Sequence, residues 1–266
     1  MKVKTVLSFL TMIIIVACNT LENAHIIHSS PCLTSDGGWI IYVHSYNRGS
    51  SATPGIYKIS IDGKNNKLLL ETQNQVSLSP DDKQALLIDG IYLVEKERLT
   101  LHRKAANYGL NTPSWAEKGS RIIYELGGDI FITDTLFKDT KKLPIKGYTP
   151  KFIDNDKKII YYNSIKKGLC ITDTLSFTET MLTNNELDKL PVSSRNGKYI
   201  VWERNGEVWL MNSDGSNQNF LDKGRNPVWT PDSKHIVYSK SDNKEIESFF
   251  LWKMDASDLN KYQITK

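Results

Sequence analysis

The stretch Asn226–Lys240, NPVWTPDSKHIVYSK, is typical of a short strand, a tight turn and a second strand. Asp232 and Ser233 supply the turn, because short polar side chains bond their own backbone there. Ile236 and Tyr238 follow at the two-residue spacing of a half-buried strand. Since the same pattern returns along most of the chain, it indicates a structural repeat.

Six segments share this pattern without gaps, and their first positions are Pro31, Val76, Pro113, Pro150, Pro191 and Pro227. Eleven residues after each start stands a large apolar side chain: Tyr42, Leu87, Tyr124, Tyr161, Trp202 and Tyr238. An apolar pair such as Val208-Trp209 marks a third strand in each segment, and Asn205-Gly206 is a strong hairpin signal before it. Four antiparallel strands in about 40 residues, repeated six times, predict an all-β, six-bladed β-propeller of four-stranded antiparallel blades over residues 31–266.

The aromatic residues two positions after three of the prolines have a structural role in this interpretation. Trp115, Phe152 and Trp229 are expected to pack between neighbouring blades, because a propeller buries the faces of its sheets against each other.

The repeat resembles that of a known family. PVWTPDSKHIVY, from Pro227 to Tyr238, and VSLSPDDKQALL, from Val76 to Leu87, are similar to the repeats of the TolB-like six-bladed propellers. The resemblance extends from Pro31 to the end of the sequence, and it implies the propeller fold.

The N-terminal segment predicts export and lipid anchoring. Residues 1–17 combine two early lysines with a short apolar run, which is typical of a signal peptide. Ile15 to Cys18 resembles the bacterial lipobox, so we expect Cys18 to be lipidated and residues 18–30 to form a tether. Asn19 after the cysteine favours the outer membrane. The expected orientation is towards the periplasm, and exposure on the cell surface is the open alternative.

Charge and cysteine content exclude little and predict little. Removing Lys2 and Lys4 with the signal peptide lowers the formal net charge from +4 to +2, which is too small to indicate a nucleic-acid partner. Cys32 and Cys170 fall in different repeats, so we expect two unpaired thiols and a monomeric propeller.

No catalytic, metal-binding or cofactor-binding motif stands out in the sequence. The five histidines are scattered, and only His25 and His28 are close together. The recurring carboxylates, such as Asp36, Asp81 and Asp232, fall at equivalent turn positions, which turn chemistry explains. We therefore expect a non-enzymatic binding protein without cofactor. The alternatives are a carbohydrate-active or peptide-cleaving enzyme, or a glycan or small-molecule binder, using the central channel.

Loop asymmetry predicts where a partner binds. The longest insertions, His44–Gly55 and Ser241–Ser248, are hairpins on one face of the propeller, and binding residues concentrate on loops of rigid scaffolds. The predicted binding surface for an envelope protein, a cell-wall component or a glycan consists of Tyr46, Arg48, Arg103, Lys104, Tyr108 and Arg225.

Two ways of closing the ring fit the sequence equally well. The segment Ala24–His28 pairs beside the sixth blade in one of them. In the other, Tyr262–Thr265 completes that blade without help.

Overall fold

The computed structural model describes residues 25–47, 53–105, 109–241 and 248–266. Those ranges contain 23 strands, and they include no helix long and apolar enough to cross a bilayer. The first twelve strands are β1 (His25–Leu33), β2 (Trp39–Asn47), β3 (Gly55–Ser60), β4 (Lys67–Leu70), β5 (Ser77–Leu78), β6 (Gln84–Leu87), β7 (Gly90–Val94), β8 (Leu99–Lys104), β9 (Asn111–Trp115), β10 (Arg121–Leu126), β11 (Asp129–Asp134) and β12 (Thr140–Ile153).

The other eleven strands complete the fold. They are β13 (Lys158–Asn163), β14 (Gly168–Asp173), β15 (Glu179–Met181), β16 (Asp188–Ser193), β17 (Tyr199–Arg204), β18 (Glu207–Asn212), β19 (Asn219–Lys223), β20 (Arg225–Trp229), β21 (His235–Ser241), β22 (Phe249–Asp255) and β23 (Lys261–Gln263).

Strand pairing groups these elements into antiparallel units of four. The units, numbered in chain order, are β1–β4, β5–β8, β9–β12, β12–β15, β16–β19 and β20–β23. The long strand β12 serves two units, because its first half pairs with β11 and its second half with β13. The first strands of successive units contact each other in turn, and β20 contacts β1, which closes a ring. The prediction of an all-β propeller built from four-stranded antiparallel units is confirmed.

The core lies between neighbouring units. Trp115 packs with Leu86 and Ile91 of the preceding unit, Phe152 packs with Ile123, and Trp229 packs with Val201, Leu221 and other residues. These clusters confirm that the three aromatic residues fill the spaces between units. The side chains eleven residues after the repeat starts are fully buried in five of the six units.

A bulge explains the recurring prolines. In five units the innermost strand shifts register immediately beside its proline, and the residue before the proline has a positive φ. These residues are Ser30, Thr112, Thr149, Leu190 and Asn226, with φ between 44° and 53°. Proline suits such a position because it has no N–H to donate to the ladder.

Both segments named in the two predictions pair with the sixth unit, so β23 does not complete that unit alone. The strand β23 pairs with β22, and Ile27 of β1 also pairs with Phe249 of β22 in parallel. The strand β1 begins at His25, so the last six residues of the expected tether, 25–30, lie in the first unit instead. The start of the folded part is therefore earlier than the repeat pattern indicated, because pairing with two strands stabilises this segment.

Candidate functional site

The ring has two ends with different loops. The turn end carries the turns between the first and second strands and between the third and fourth strands of each unit. The hairpin end carries the hairpins between the second and third strands and the connections from one unit to the next.

Cys32 lies in the first unit and Cys170 in the fourth, and both are free thiols.

The turn end is built from one repeated motif. In the sixth unit the Thr230 hydroxyl donates to the Asp232 carboxylate over 2.6 Å, and the Lys234 N–H donates to the same oxygen. Asp36 and Asp81 receive the same pair of bonds. A hydroxyl partner stabilises the ionised form, and the pKa of each of these carboxyls is lowered.

Neighbouring turns are also linked around the ring. The Ser35 backbone N–H and hydroxyl donate to Asp82 of the next unit, over 2.8 and 2.6 Å. The Glu117 N–H donates to Asp156 in the same way over 2.6 Å, and the Asn196 N–H donates to the Ser233 hydroxyl. Asp82, Asp156 and Ser233 stand at equivalent positions, and the residue at that position in the other three units is glycine. Two carboxylates and one hydroxyl thus link three pairs of neighbouring turns.

The hairpin end holds buried charged clusters that differ from unit to unit. Asp188 is fully buried, and it accepts two bonds from the Arg204 guanidinium, of 2.6 and 3.0 Å, and one from the Trp202 indole N–H, of 2.8 Å. Asp222 accepts bonds from the Tyr238 hydroxyl and from Lys240. Each buried carboxylate therefore has a cationic partner and an aromatic donor.

The described members of the predicted binding surface have separate neighbours. The ring of Tyr46 lies 6.3 Å from that of His44. Arg103 donates to the Thr135 carbonyl over 2.9 Å, which ties it to the adjacent unit. Lys104 is exposed on β8, and the Arg225 guanidinium lies 4.8 Å from the Phe249 ring centroid.

Arg48, Tyr108 and Cys18 lie outside the described residues. The six-residue binding surface and the lipidation site therefore stay predictions.

A second exposed surface at the hairpin end was not predicted. We call it the Tyr148 patch, and it consists of Tyr148, Tyr162, Ile165 and Leu187. The rings of Tyr148 and Tyr162 stack with centroids 6.3 Å apart. Tyr148, Ile165 and Leu187 are 45%, 72% and 49% exposed. The sequence feature that could have indicated this patch is the isoleucine inside the hairpin NSIKKG.

Charged pairs surround the patch. Lys167 and Glu186 form an ion pair of 3.0 Å that joins the hairpin of the fourth unit to the connection towards the fifth. Lys142 and Lys146 both pair with Asp129, at 2.6 and 3.2 Å. Exposed apolar and tyrosine side chains within a rim of charges are typical of protein interfaces.

The central channel is a concave feature of the described structure. It has a volume of about 720 Å³ and is lined by the innermost strands of all six units. At the turn end its wall includes four charged side chains: Asp82, Glu117, Asp154 and Arg195. Burial raises the pKa of Glu117 above its ordinary value. The described residues do not bring together three histidine, cysteine or acidic side chains that could hold a metal ion.

One position of the repeat lines the middle of the channel in every unit. The residues one position after the repeat starts are Cys32, Ser77, Ser114, Lys151, Val192 and Val228, and we call them the amphipathic tier. Burial lowers the pKa of Lys151 and raises that of Cys32. No described side chain forms an ion pair or hydrogen bond with the Lys151 amine within 4 Å.

Comparison with solved structures shows the fold. TolB from Acinetobacter baumannii aligns with a TM-score of 0.67 and 17% identity over 85% of this chain. A candidate TolB from Agrobacterium tumefaciens aligns with a TM-score of 0.59 and 16% identity, covering 77% of this chain and 86% of its own length. This chain spans 63% of the length of the Acinetobacter protein.

An enzyme shares the same architecture. An oligogalacturonate lyase in complex with manganese aligns with a TM-score of 0.57 and 10% identity, covering 91% of this chain and 78% of the lyase. No family model and no curated protein sequence matches the chain. The structure is thus a β-propeller similar to that of TolB. Fold alone does not decide between binding and catalysis.

Proposed function

We propose that this chain is a non-enzymatic binding protein of the bacterial cell envelope, which engages a partner protein at the hairpin end of its propeller. The Tyr148 patch carries the proposal, because it places exposed tyrosine and aliphatic side chains inside a rim of ion pairs. Tyrosine anchors of this kind dominate binding energy at protein interfaces. The rigid ring of units holds the patch in place.

The lipid anchor proposed at Cys18 bears on where the partner resides. The first residue of β1, His25, pairs with Asn47 at the hairpin end. His25 is the seventh residue after Cys18, and seven Cα-to-Cα steps reach at most about 25 Å. An anchor at Cys18 therefore keeps the hairpin end near the membrane. We infer a partner that resides at the same membrane, which we propose is the outer membrane on its periplasmic side.

Photo-crosslinking in intact cells tests the proposed surface. A photoreactive residue replaces Ile165 at the hairpin end or, as the matched control, Leu175 at the turn end of the same unit, which is 90% exposed. We expect a discrete protein adduct from position 165 and none from position 175. Tyr148→Ala should weaken the adduct. A product from position 175 alone, or from neither position, contradicts the proposal.

The anchor needs a separate experiment. We expect metabolic labelling with palmitate to mark the full chain, and Cys18→Ser to abolish the label and release the protein from membranes. Labelling that survives in Cys18→Ser contradicts lipidation at that residue.

A further inference from the structure

The amphipathic tier divides the channel wall into two unlike halves. The second, third and fourth units contribute Ser77, Ser114 and Lys151, two hydroxyls and one ammonium group at equivalent positions of adjacent strands. The fifth and sixth units contribute Val192 and Val228. One half of the wall thus offers hydrogen-bond donors and the other half offers aliphatic contact.

The protein itself uses only part of the donor half, because the Ser114 hydroxyl donates to the Trp115 carbonyl over 3.4 Å. Lys151 has no carboxylate partner among the described residues and interacts electrostatically with the Cys32 thiol, whereas the buried Arg204 guanidinium donates two bonds to Asp188. A charged group without a partner is unfavourable in a partly buried wall. The lowered pKa of Lys151 reflects the same desolvation.

A second observation marks the same part of the wall. Thr112 and Thr149 precede the prolines of the third and fourth units and line the channel beside Ser114 and Lys151. Both hydroxyl oxygens are buried and lack a hydrogen-bond partner, and Thr149 is only 9% exposed. Native structures leave few such groups unpaired, and both oxygens lie out of reach of a molecule in the channel, so they make this part of the wall polar without contacting a ligand.

We propose that the amphipathic tier binds a small organic monoanion, with its carboxylate against Lys151, Ser114 and Ser77 and its apolar body against Val192 and Val228. The charges in the wall favour one negative charge over two. The channel has two basic side chains, Lys151 and Arg195, and three acidic ones, Asp82, Glu117 and Asp154. A dianion such as inorganic phosphate meets more repulsion there than a carboxylate does.

Calorimetric titration with benzoate tests this site, and benzamide serves as the neutral molecule of the same shape. We expect the unmodified protein to bind benzoate with a Kd in the millimolar range, as befits a ligand of few atoms. Benzamide and inorganic phosphate should bind more weakly. Equal binding of benzamide, tighter binding of phosphate, or no binding of benzoate overturns the proposal.

Variants locate the contact. Lys151→Met keeps the length of the side chain and removes its charge, and we expect it to weaken benzoate binding about 10-fold or more. Lys141→Met, at an exposed lysine of β12, is the matched control and should bind as the unmodified protein does. Ser114→Ala should weaken binding by a smaller factor. Unchanged binding by Lys151→Met overturns the proposal, and its circular dichroism and melting temperature establish that it is folded.

This site is independent of the proposed partner surface. Crosslinking at Ile165 and benzoate binding in the channel use different residues, so either result can fail without the other.

Discussion

The two ends of the propeller are stabilised in different ways. At the turn end a hydroxyl, a carboxylate and a backbone N–H form the same local motif in three units, as at Thr230, Asp232 and Lys234. In the fifth unit the Asn196 amide oxygen takes the place of the carboxylate. At the hairpin end the side chains that fill these roles differ between units: Asp188 binds Arg204 and Trp202, whereas Asp222 binds Lys240 and Tyr238. The repeat thus preserves the turn end, which holds the ring together. The side chains of the hairpin end vary between units and are free to bind a partner.

Removing a buried carboxylate at the hairpin end should have the largest effect on stability. Asp188→Ala leaves the Arg204 guanidinium and the Trp202 N–H without their partner. We expect the free energy of unfolding to fall by about 3–5 kcal/mol, measured by urea denaturation. Asp214→Ala, at an exposed turn, is the control and should lower it much less, because water replaces the lost bonds there. Equal losses in the two variants would contradict the contrast between the ends.

The histidine pair at the ring closure should make stability depend on pH. His28 Nε2 lies 2.9 Å from His44 Nδ1, and His28 Nδ1 lies 2.7 Å from the Thr265 hydroxyl. Burial, together with the neighbouring His44, lowers the pKa of His28 from 6.5 to about 3. The unfolded chain therefore binds a proton between these pH values and the folded chain does not.

Because of this difference in proton binding, the protein loses stability as the pH falls. The contribution of His28 is complete above its unfolded pKa of 6.5 and is lost as the pH falls towards about 3. At pH 5 we expect a loss of about 2 kcal/mol relative to neutral pH. Thermal unfolding at a series of pH values measures it. His28→Gln should flatten the pH dependence, and an unchanged profile in that variant would assign the effect to other groups.

Breaking one link of the turn end should have a smaller effect. Asp82→Ala removes the bonds from Ser35 and keeps a side chain at φ 59°. We expect a loss of about 1–2 kcal/mol in chemical denaturation. Asp82→Gly removes the same bonds but suits the positive φ, as Gly37 does at the equivalent position, so it should lose less. A larger loss for glycine would show that φ does not matter there.

Removing the charge of Lys151 in the channel should have the smallest effect on stability, and it should stabilise the protein rather than destabilise it. Burial lowers the pKa of Lys151, so its unfavourable contribution is complete below its folded pKa and diminishes as the pH rises from there towards the unfolded value. Lys151→Met should therefore raise the free energy of unfolding by about 1 kcal/mol at pH 7. Differential scanning calorimetry detects the accompanying rise in melting temperature. A destabilised Lys151→Met would indicate that the lysine has a structural role.

Much of the fold could be predicted because the repeat is local. Asp232 follows Thr230 by two residues, and Ile236 and Tyr238 follow within one hairpin, so turn chemistry and strand periodicity were sufficient. Repetition in register then predicted the propeller and the packing of Trp115, Phe152 and Trp229. The bulges beside the prolines were not predicted, because their positive φ depends on how each innermost strand pairs.

The candidate sites were less accessible to sequence analysis. Arg103 was predicted as a binding residue from its charge, yet its guanidinium bonds the Thr135 carbonyl of the next unit. The Tyr148 patch joins a hairpin to a connection about 20 residues further along the chain. No motif marks such a pairing.

The sequence by itself determined the repeat, the strand order within each unit and the turn motif, since all of these depend on residues a few positions apart. Only the tertiary structure decided which side chains face one another across the ring. His28 meets Thr265 across a separation of 237 residues, and the donors of the amphipathic tier converge only when the ring closes. The physical reason is that local patterns fix backbone conformation, whereas closure of the ring fixes which distant groups share an environment.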